Sequence, residues 1–173
     1  MFNFTHAFIS SFVFPFVCRR KFETFVDSGK VKVLGISNCY DFNTFVNLYN
    51  QARHKPKVLQ NRFYSDSHFD VNLRNFCREN GIRYQSFWTL TANRRALATK
   101  EAQVLAQSKG LSTATLMYAF MMTLGHTPLS GTTNGQHMHE DADVMERIVN
   151  GEKFFGEEEM TYMSNLLGIS QYM

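Results

Sequence analysis

The feature that most constrains the fold of this chain is a regular alternation of short apolar segments and amphipathic segments from Arg19 onward. Helix-type and strand-type periodicities follow one another, and glycines punctuate them. The spacing predicts strands over 31–36, 57–62, 82–87 and 127–130. It predicts helices over 20–28, from Asp41 through Tyr49, from Phe69 to Gly81, over 98–109, 112–124 and 135–145, and from Glu157 onward.

This alternation predicts an α/β fold, because strands that are joined through helices run parallel with right-handed crossovers. Four such βα units make half of an eight-stranded barrel or a small open sheet. Periodicity alone leaves both architectures open.

The composition indicates a globular domain. The chain has 173 residues, 44% of them apolar, and its 18 Lys and Arg against 15 Asp and Glu leave a net charge of +3. These values exclude a disordered, collagen-like or coiled-coil chain. The cations are scattered along the sequence, so we expect no nucleic-acid partner.

Three cysteines without a CxxC pair predict neither a disulfide framework nor a zinc site and favour a reducing, cytoplasmic compartment.

The first 18 residues differ in composition from the rest. Eight of the 17 phenylalanines fall within the first 25 residues. The apolar run over 7–18 is interrupted by Pro15 and is shorter than the roughly 20 residues that span a bilayer. It has the length of a signal-peptide core, but no Lys or Arg precedes it and no small-residue cleavage site follows it. We therefore expect a leader over 1–18, a folded domain over 19–173 and no membrane partner.

Four segments at predicted strand ends carry a resemblance to a known family. They are Gly29–Asn38 (GKVKVLGISN), Val58–Asn61 (VLQN), Leu73–Ile82 (LRNFCRENGI) and Leu129–Asn134 (LSGTTN). In this order and spacing they resemble the aldo-keto reductases. The resemblance covers roughly residues 20–168 and implies the C-terminal half of a (β/α)8 TIM barrel, whose strand ends hold a nicotinamide cofactor.

The resemblance implies two groups of cofactor-binding residues. Ser37, Asn38 and Gln60 would hydrogen-bond the nicotinamide carboxamide, which needs neutral donors and acceptors. Phe87 takes the position of an aromatic residue, more often Tyr, that stacks on the nicotinamide ring.

The second group belongs to the other end of the cofactor. Thr132, in a turn before a helix, would lie near phosphate, and Glu140 and Asp141 would contact adenine. His137 stands where many members carry an Arg for the 2′-phosphate of NADP, so both NADP and NAD remain open.

Each position also has a structural interpretation. Ser37 and Asn38 are residue types that end strands and cap helices. Gln60 would then be a satisfied polar residue of the barrel interior, and Phe87 would be core packing. His137 and His139 point to different faces of a helix at i, i+2 spacing, so no metal site is predicted.

The catalytic residues that the resemblance implies are an Asp, Tyr, Lys and His tetrad in the N-terminal half of the barrel. This sequence matches none of the tetrad motifs, so we assign no catalytic residue and expect an NAD(P)H-dependent oxidoreductase half that binds cofactor without reducing carbonyls. The alternative is a non-catalytic half-barrel that serves as a binding or oligomerisation module. Open sheet edges would favour self-association in either case.

Overall fold

The computed structural model describes residues 4–10 and 15–170, with side chains from residue 19 onward. The chain divides into two compact units. Unit 1 comprises residues 1–62 and 70–85, and unit 2 comprises residues 63–69 and 86–173.

Unit 1 holds the parallel sheet. Its elements are β1 (Phe4–Ser10), α1 (Pro15–Asp27), β2 (Val31–Ser37), α2 (Phe42–Gln51), β3 (Val58–Arg62), α3 (Val71–Glu79) and the larger part of β4 (Arg83–Phe87). The strands lie side by side in chain order. Phe4 pairs with Val31, and Gly35 pairs with Val58, both in parallel register. The predicted α/β fold with parallel strands is confirmed.

The segment expected to be a leader contains regular structure that the sequence did not predict. β1 pairs with β2 along its whole length, and α1 begins at Pro15, five residues before the helix predicted from its pattern. A run rich in phenylalanine without polar alternation lacks the period-2 signal of a strand exposed on one face. Residues 1–3 and 11–14 of the expected leader lie outside the described residues.

Unit 2 is mostly helical. It contains α4 (Thr89–Ala92), α5 (Arg94–Leu97), α6 (Lys100–Ser108), α7 (Thr113–Thr123), β5 (Thr127–Pro128), α8 (Gly135–Val149) and α9 (Glu157–Leu167). The Leu129 N–H donates to the Ser86 carbonyl at 2.8 Å, which attaches the β5 segment to the end of β4. In α7 every residue from Thr115 to Met121 is buried, as expected for a helix that is apolar on all sides.

Local sequence signals set several helix ends. Asp41 caps α2 by accepting from the Thr44 N–H at 2.7 Å, and Ser112 caps α7 by accepting from the Thr115 N–H at 3.0 Å. Other boundaries differ from the prediction. Phe69 precedes α3 in a left-handed conformation at φ 51°, and α8 continues four residues beyond Met145. In the described part of the chain, no helix is both long enough and apolar enough to cross a bilayer.

A buried carboxylate connects β3 and β4 in unit 1. Asp70 is 3% exposed, and its Oδ2 accepts from Asn61 Nδ2 at 2.7 Å and from the Tyr84 hydroxyl at 2.9 Å. Asn61 also accepts from the Cys39 N–H at 3.0 Å and donates to the Cys39 carbonyl at 2.7 Å. Burial and the neighbouring Asp70 raise the pKa of Tyr84 well above its usual value, so the phenol stays a donor.

We expect Tyr84→Phe to destabilise the chain by about 1.5–3 kcal/mol, because it removes one hydrogen bond from a buried carboxylate. The free energy of unfolding in urea measures this loss. Tyr162→Phe is the matched control, since Tyr162 is 37% exposed. Equal stabilities of the two variants would contradict a structural role for the Asp70 bonds.

Candidate functional site

The carboxyl ends of the strands in unit 1 carry a chain of hydrogen-bonded polar side chains. Ser37 Oγ donates to Gln60 Oε1 at 3.3 Å, and Asn38 Nδ2 donates to Ser37 Oγ at 3.1 Å. Gln60 Nε2 donates in turn to Gln85 Oε1 at 3.0 Å. The structure therefore brings together Ser37, Asn38 and Gln60, the three residues predicted to bind a carboxamide.

Gln85 is a member of this chain that the sequence analysis missed. It stands two residues before Phe87 on β4, so period-2 alternation from Phe87 would have indicated it. Asn38 adopts a left-handed conformation at φ 57°, and its N–H donates to the Gln60 carbonyl at 3.0 Å. A non-glycine residue in this region carries backbone strain, which often marks a functional loop.

Unit 2 contains a cavity of about 830 Å³. This volume lies within the usual range for small-molecule sites. Four of the predicted site residues line it, namely Phe87, Thr132, His137 and Asp141. The lining residues that the prediction did not assign include Trp88, Thr89, Arg94, Gln103, Thr115, Tyr118 and Ser130.

Asp141 is the one carboxylate that lines this cavity in the described residues. Its Oδ2 accepts from Ser130 Oγ at 2.8 Å. Burial raises the pKa of Asp141, while its hydrogen bonds with Ser130 and Thr115 and the nearby His137 oppose that rise. The pKa of Tyr118 is also raised by burial. A fixed acceptor among hydroxyl groups suits a ligand that presents hydroxyl or amino donors.

The start of α8 holds Thr132 and His137, but its backbone donors are partly engaged. Asn134 Oδ1 accepts from the Gln136 N–H at 2.8 Å and from the His137 N–H at 3.4 Å. Thr132 Oγ1 accepts from the Asn134 N–H at 3.2 Å. The predicted anion site at this helix start therefore offers fewer free N–H groups than the turn sequence indicated. Among the described residues, Arg94 is the only Lys or Arg that lines the cavity.

Glu140 is the one predicted site residue of unit 2 that does not line the cavity. Its Oε1 accepts from Gln136 Nε2 at 3.0 Å, one turn earlier on α8. Contact of Glu140 with an adenine ring stays a prediction.

Thr89 is a buried residue of the cavity wall. The residue is 2% exposed and lines the cavity, and its buried Oγ1 has no hydrogen-bond partner in the described part of the chain. A buried hydroxyl without a partner destabilises a folded protein by about 1–3 kcal/mol. The accessible Arg94, Thr132 and His137 side chains of the cavity fit a group with phosphate and hydroxyl oxygens.

The described residues contain no group of three or more His, Cys, Asp or Glu side chains placed to hold a metal ion. Cys39 and Cys77 are buried free thiols of unit 1. Burial raises the pKa of each thiol to about 12, so neither is a reactive thiolate near neutral pH.

Parallel strands in chain order alternate with helices and carry polar side chains near their ends, an arrangement that occurs in (β/α) barrels. The family model of the aldo/keto reductases matches residues 18–156. The chain belongs to the aldo/keto reductase family.

Curated relatives agree with this assignment. The chain is 27% identical over 138 residues to Aldo-keto reductase family 4 member C11 of Arabidopsis thaliana, covering 76% of this chain and 43% of that protein. It is 28% identical over 123 residues to an uncharacterized oxidoreductase of Schizosaccharomyces pombe, covering 70% of this chain and 42% of that protein. The chain therefore spans less than half the length of these two relatives.

Solved structures support the fold. An aldo-keto reductase from a deep-sea metagenome library, MGS-M4, superposes with a TM-score of 0.78 at 17% identity, covering 95% of this chain and 60% of that one. A mutant of Gox0644 in complex with NADPH superposes with a TM-score of 0.75 at 18% identity, covering 94% and 58%. The predicted partial barrel is confirmed by these likenesses.

We expect Thr89→Val to stabilise the ligand-free chain by about 1 kcal/mol or more, because it removes a buried hydroxyl that has no partner at nearly constant shape. Thr115→Val is the matched control. Thr115 is equally buried, but its hydroxyl lies 2.9 Å from Ser112 Oγ, so the control should lose stability. Thermal melts of both variants measure the two changes in stability, which should have opposite signs. A loss of stability in Thr89→Val would contradict the prediction.

Proposed function

We propose that this chain is the nicotinamide-cofactor-binding half of an NAD(P)H-dependent carbonyl oxidoreductase. The observation that carries the proposal is the cavity of unit 2, where Arg94, Thr132, His137 and Asp141 line one space of about 830 Å³ in a chain of the aldo/keto reductase family. Its size, its hydroxyl groups and its single arginine suit a dinucleotide.

In unit 2, we assign the phosphate and adenosine parts of the cofactor to this cavity. Arg94 pairs with phosphate oxygens through its planar guanidinium, and Thr132 donates its hydroxyl to the same group. Asp141, held by Ser130, accepts from ribose or adenine donors. His137 replaces a permanently charged arginine, so the proposal includes both NADP and NAD. The Phe87 ring lines the same cavity and offers an aromatic face on which a ring of the cofactor stacks.

In unit 1, we assign the nicotinamide carboxamide to Ser37, Asn38 and Gln60. Their hydrogen bonds to one another fix the orientation of the amide groups before any ligand binds. Gln85 supports Gln60 by accepting from its Nε2. The cofactor supplies a hydride in this family, and these side chains orient the ring that carries it.

Binding of NADH or NADPH tests this proposal directly. Trp88 is the single tryptophan of the chain and lines the cavity, so its fluorescence should be quenched by energy transfer to the reduced nicotinamide. We expect Arg94→Ala to weaken binding about 10- to 100-fold through loss of a charge-assisted hydrogen bond. Arg95→Ala is the matched control, because Arg95 is the next residue but lines a different cavity. An absence of quenching by both dinucleotides would refute the proposal.

We further propose that these 173 residues do not reduce carbonyls by themselves, because they contain no motif for the family's proton-donating tetrad. General acid catalysis typically contributes about 10²- to 10⁴-fold, so the expected rate with simple aldehydes is lower by that factor than that of a complete family member. The rate of aldehyde reduction is measured with the purified chain from the oxidation of NADPH at 340 nm. Robust turnover would show that a proton donor exists among these residues.

The second candidate is a non-catalytic half-barrel that acts as a binding or oligomerisation module. It is favoured by the exposed apolar side chains of Met138, Met145 and Val149 on α8, which offer a surface for association. Absence of dinucleotide binding together with specific association would support this candidate. A reducing, cytoplasmic location is proposed for either function, with the buried free thiols of Cys39 and Cys77 in its support.

A further inference from the structure

The small net charge of the chain is the sum of a positive charge on one unit and a negative charge on the other. Unit 1 contains twelve Lys and Arg against five Asp and Glu, a net charge of +7. Unit 2 contains six Lys and Arg against ten Asp and Glu, a net charge of −4. Cations that are scattered along the sequence are therefore concentrated in one unit, and each unit is charge-complementary to the other unit of a second copy.

The exposed cations of unit 1 form a basic rim, which we define as Lys30, Lys32, Lys57 and Arg83. All four are exposed and lie at the amino ends of β2, β3 and β4. The Arg83 N–H donates to the Lys57 carbonyl, so these two stand on directly neighbouring strands. Adjacent strands are about 4.8 Å apart, so the rim is a compact row of charges.

The rim cations form no ion pair or side-chain hydrogen bond with any side chain that the structure describes. Other cations near this edge are already engaged. Arg53 and His54 bind Asp27, and Lys55 Nζ donates to two carbonyls at the end of α2. The exposed Glu79 is one acid near this edge, and it leaves the rim with a clear positive excess.

Helix α8 presents the complementary surface. Glu140, Asp143 and Glu146 follow one another at i, i+3 spacing and form an acidic face. Arg147 Nη1 lies 3.4 Å from Asp143 Oδ2 and neutralises part of this face, which keeps an acidic excess. Beside it runs an apolar stripe, which we define as Met138, Ala142, Met145 and Val149, at 4-3-4 spacing on one line of the helix. Met138, Met145 and Val149 are 50%, 53% and 78% exposed, so this stripe is unpartnered in the described chain.

We propose that the chain self-associates head to tail, with the acidic face and apolar stripe of α8 in one copy docked on the basic rim of a second copy. Lysine stems can cover apolar surface while their ammonium groups reach carboxylates, so the rim satisfies both features of α8. Pairing of α8 with α8 of another copy is disfavoured, because it would bring two acidic faces together. The contact is heterologous, so it builds rings or open chains.

This inference does not depend on cofactor binding. It also differs from association through sheet edges, since that contact would consist of backbone hydrogen bonds and would persist at high salt. A contact between exposed charges weakens as salt shortens the Debye length from about 20–30 Å at low ionic strength to a few ångströms.

The test is the solution mass of the full chain by sedimentation equilibrium. At about 100 μM protein and about 20 mM salt we expect an average mass above the 20.0 kDa monomer, which returns to 20.0 kDa at about 0.5 M salt. Two variants reverse the charges of the contact, the rim variant Lys57→Glu/Arg83→Glu and the face variant Asp143→Lys/Glu146→Lys. Each alone should associate at least about 10-fold more weakly, and an equimolar mixture should recover association.

The matched control is Lys100→Glu/Lys153→Glu, which changes the net charge by the same amount as the rim variant at two exposed positions of unit 2. This control should associate like the unaltered chain. Far-UV circular dichroism and thermal melts establish that each variant is folded. The proposal would be overturned if the chain were monomeric at low salt or if association persisted at high salt or in the rim variant. It would also be overturned if the control lost association to the same extent as the rim variant.

Discussion

The hydrogen bonds of one buried carboxylate determine how unit 1 presents its strand ends. Asp70 binds Asn61 of β3 and Tyr84 of β4, while Asn61 holds both backbone groups of Cys39 just after β2. The carboxyl end of β3 and the segment after β2 are thereby tied to the start of β4. Ser37 lies two residues before Cys39 and Gln60 directly precedes Asn61, so the geometry of their polar chain depends on this network.

The structure separates two roles that polar residues play in this chain. In unit 1 the polar side chains bind one another, which preorganises their amide groups. In the cavity of unit 2, Asp141 is fixed by its neighbours while the Thr89 hydroxyl lacks a partner. The fixed acceptor is able to orient a ligand, whereas the buried hydroxyl lowers the stability of the cavity wall.

Some helix ends and strand ends were predictable from sequence, because the residues that set them lie close together in the chain. Asp41 and Ser112 are caps whose signals lie within three residues, and the strand ends at Ser37 and Gln60 follow from short family motifs. Gln85, Thr89 and Asn61 were not found, because their roles arise from contacts between elements far apart in sequence. β1 was missed because its phenylalanine-rich sequence lacks alternation, and pairing with β2 overrides that weak local signal. The charge separation was invisible because it depends on which segments pack into the same unit.

The sheet of unit 1 also determines how the chain is able to fold. Each strand pairs with the strand that follows it in sequence, and the register partners Phe4 and Val31, or Gly35 and Val58, are only about 25 residues apart. Loop-closure entropy grows slowly with such short separations. The sheet is therefore able to assemble in chain order during synthesis, with each new strand added to a completed neighbour as it leaves the ribosome.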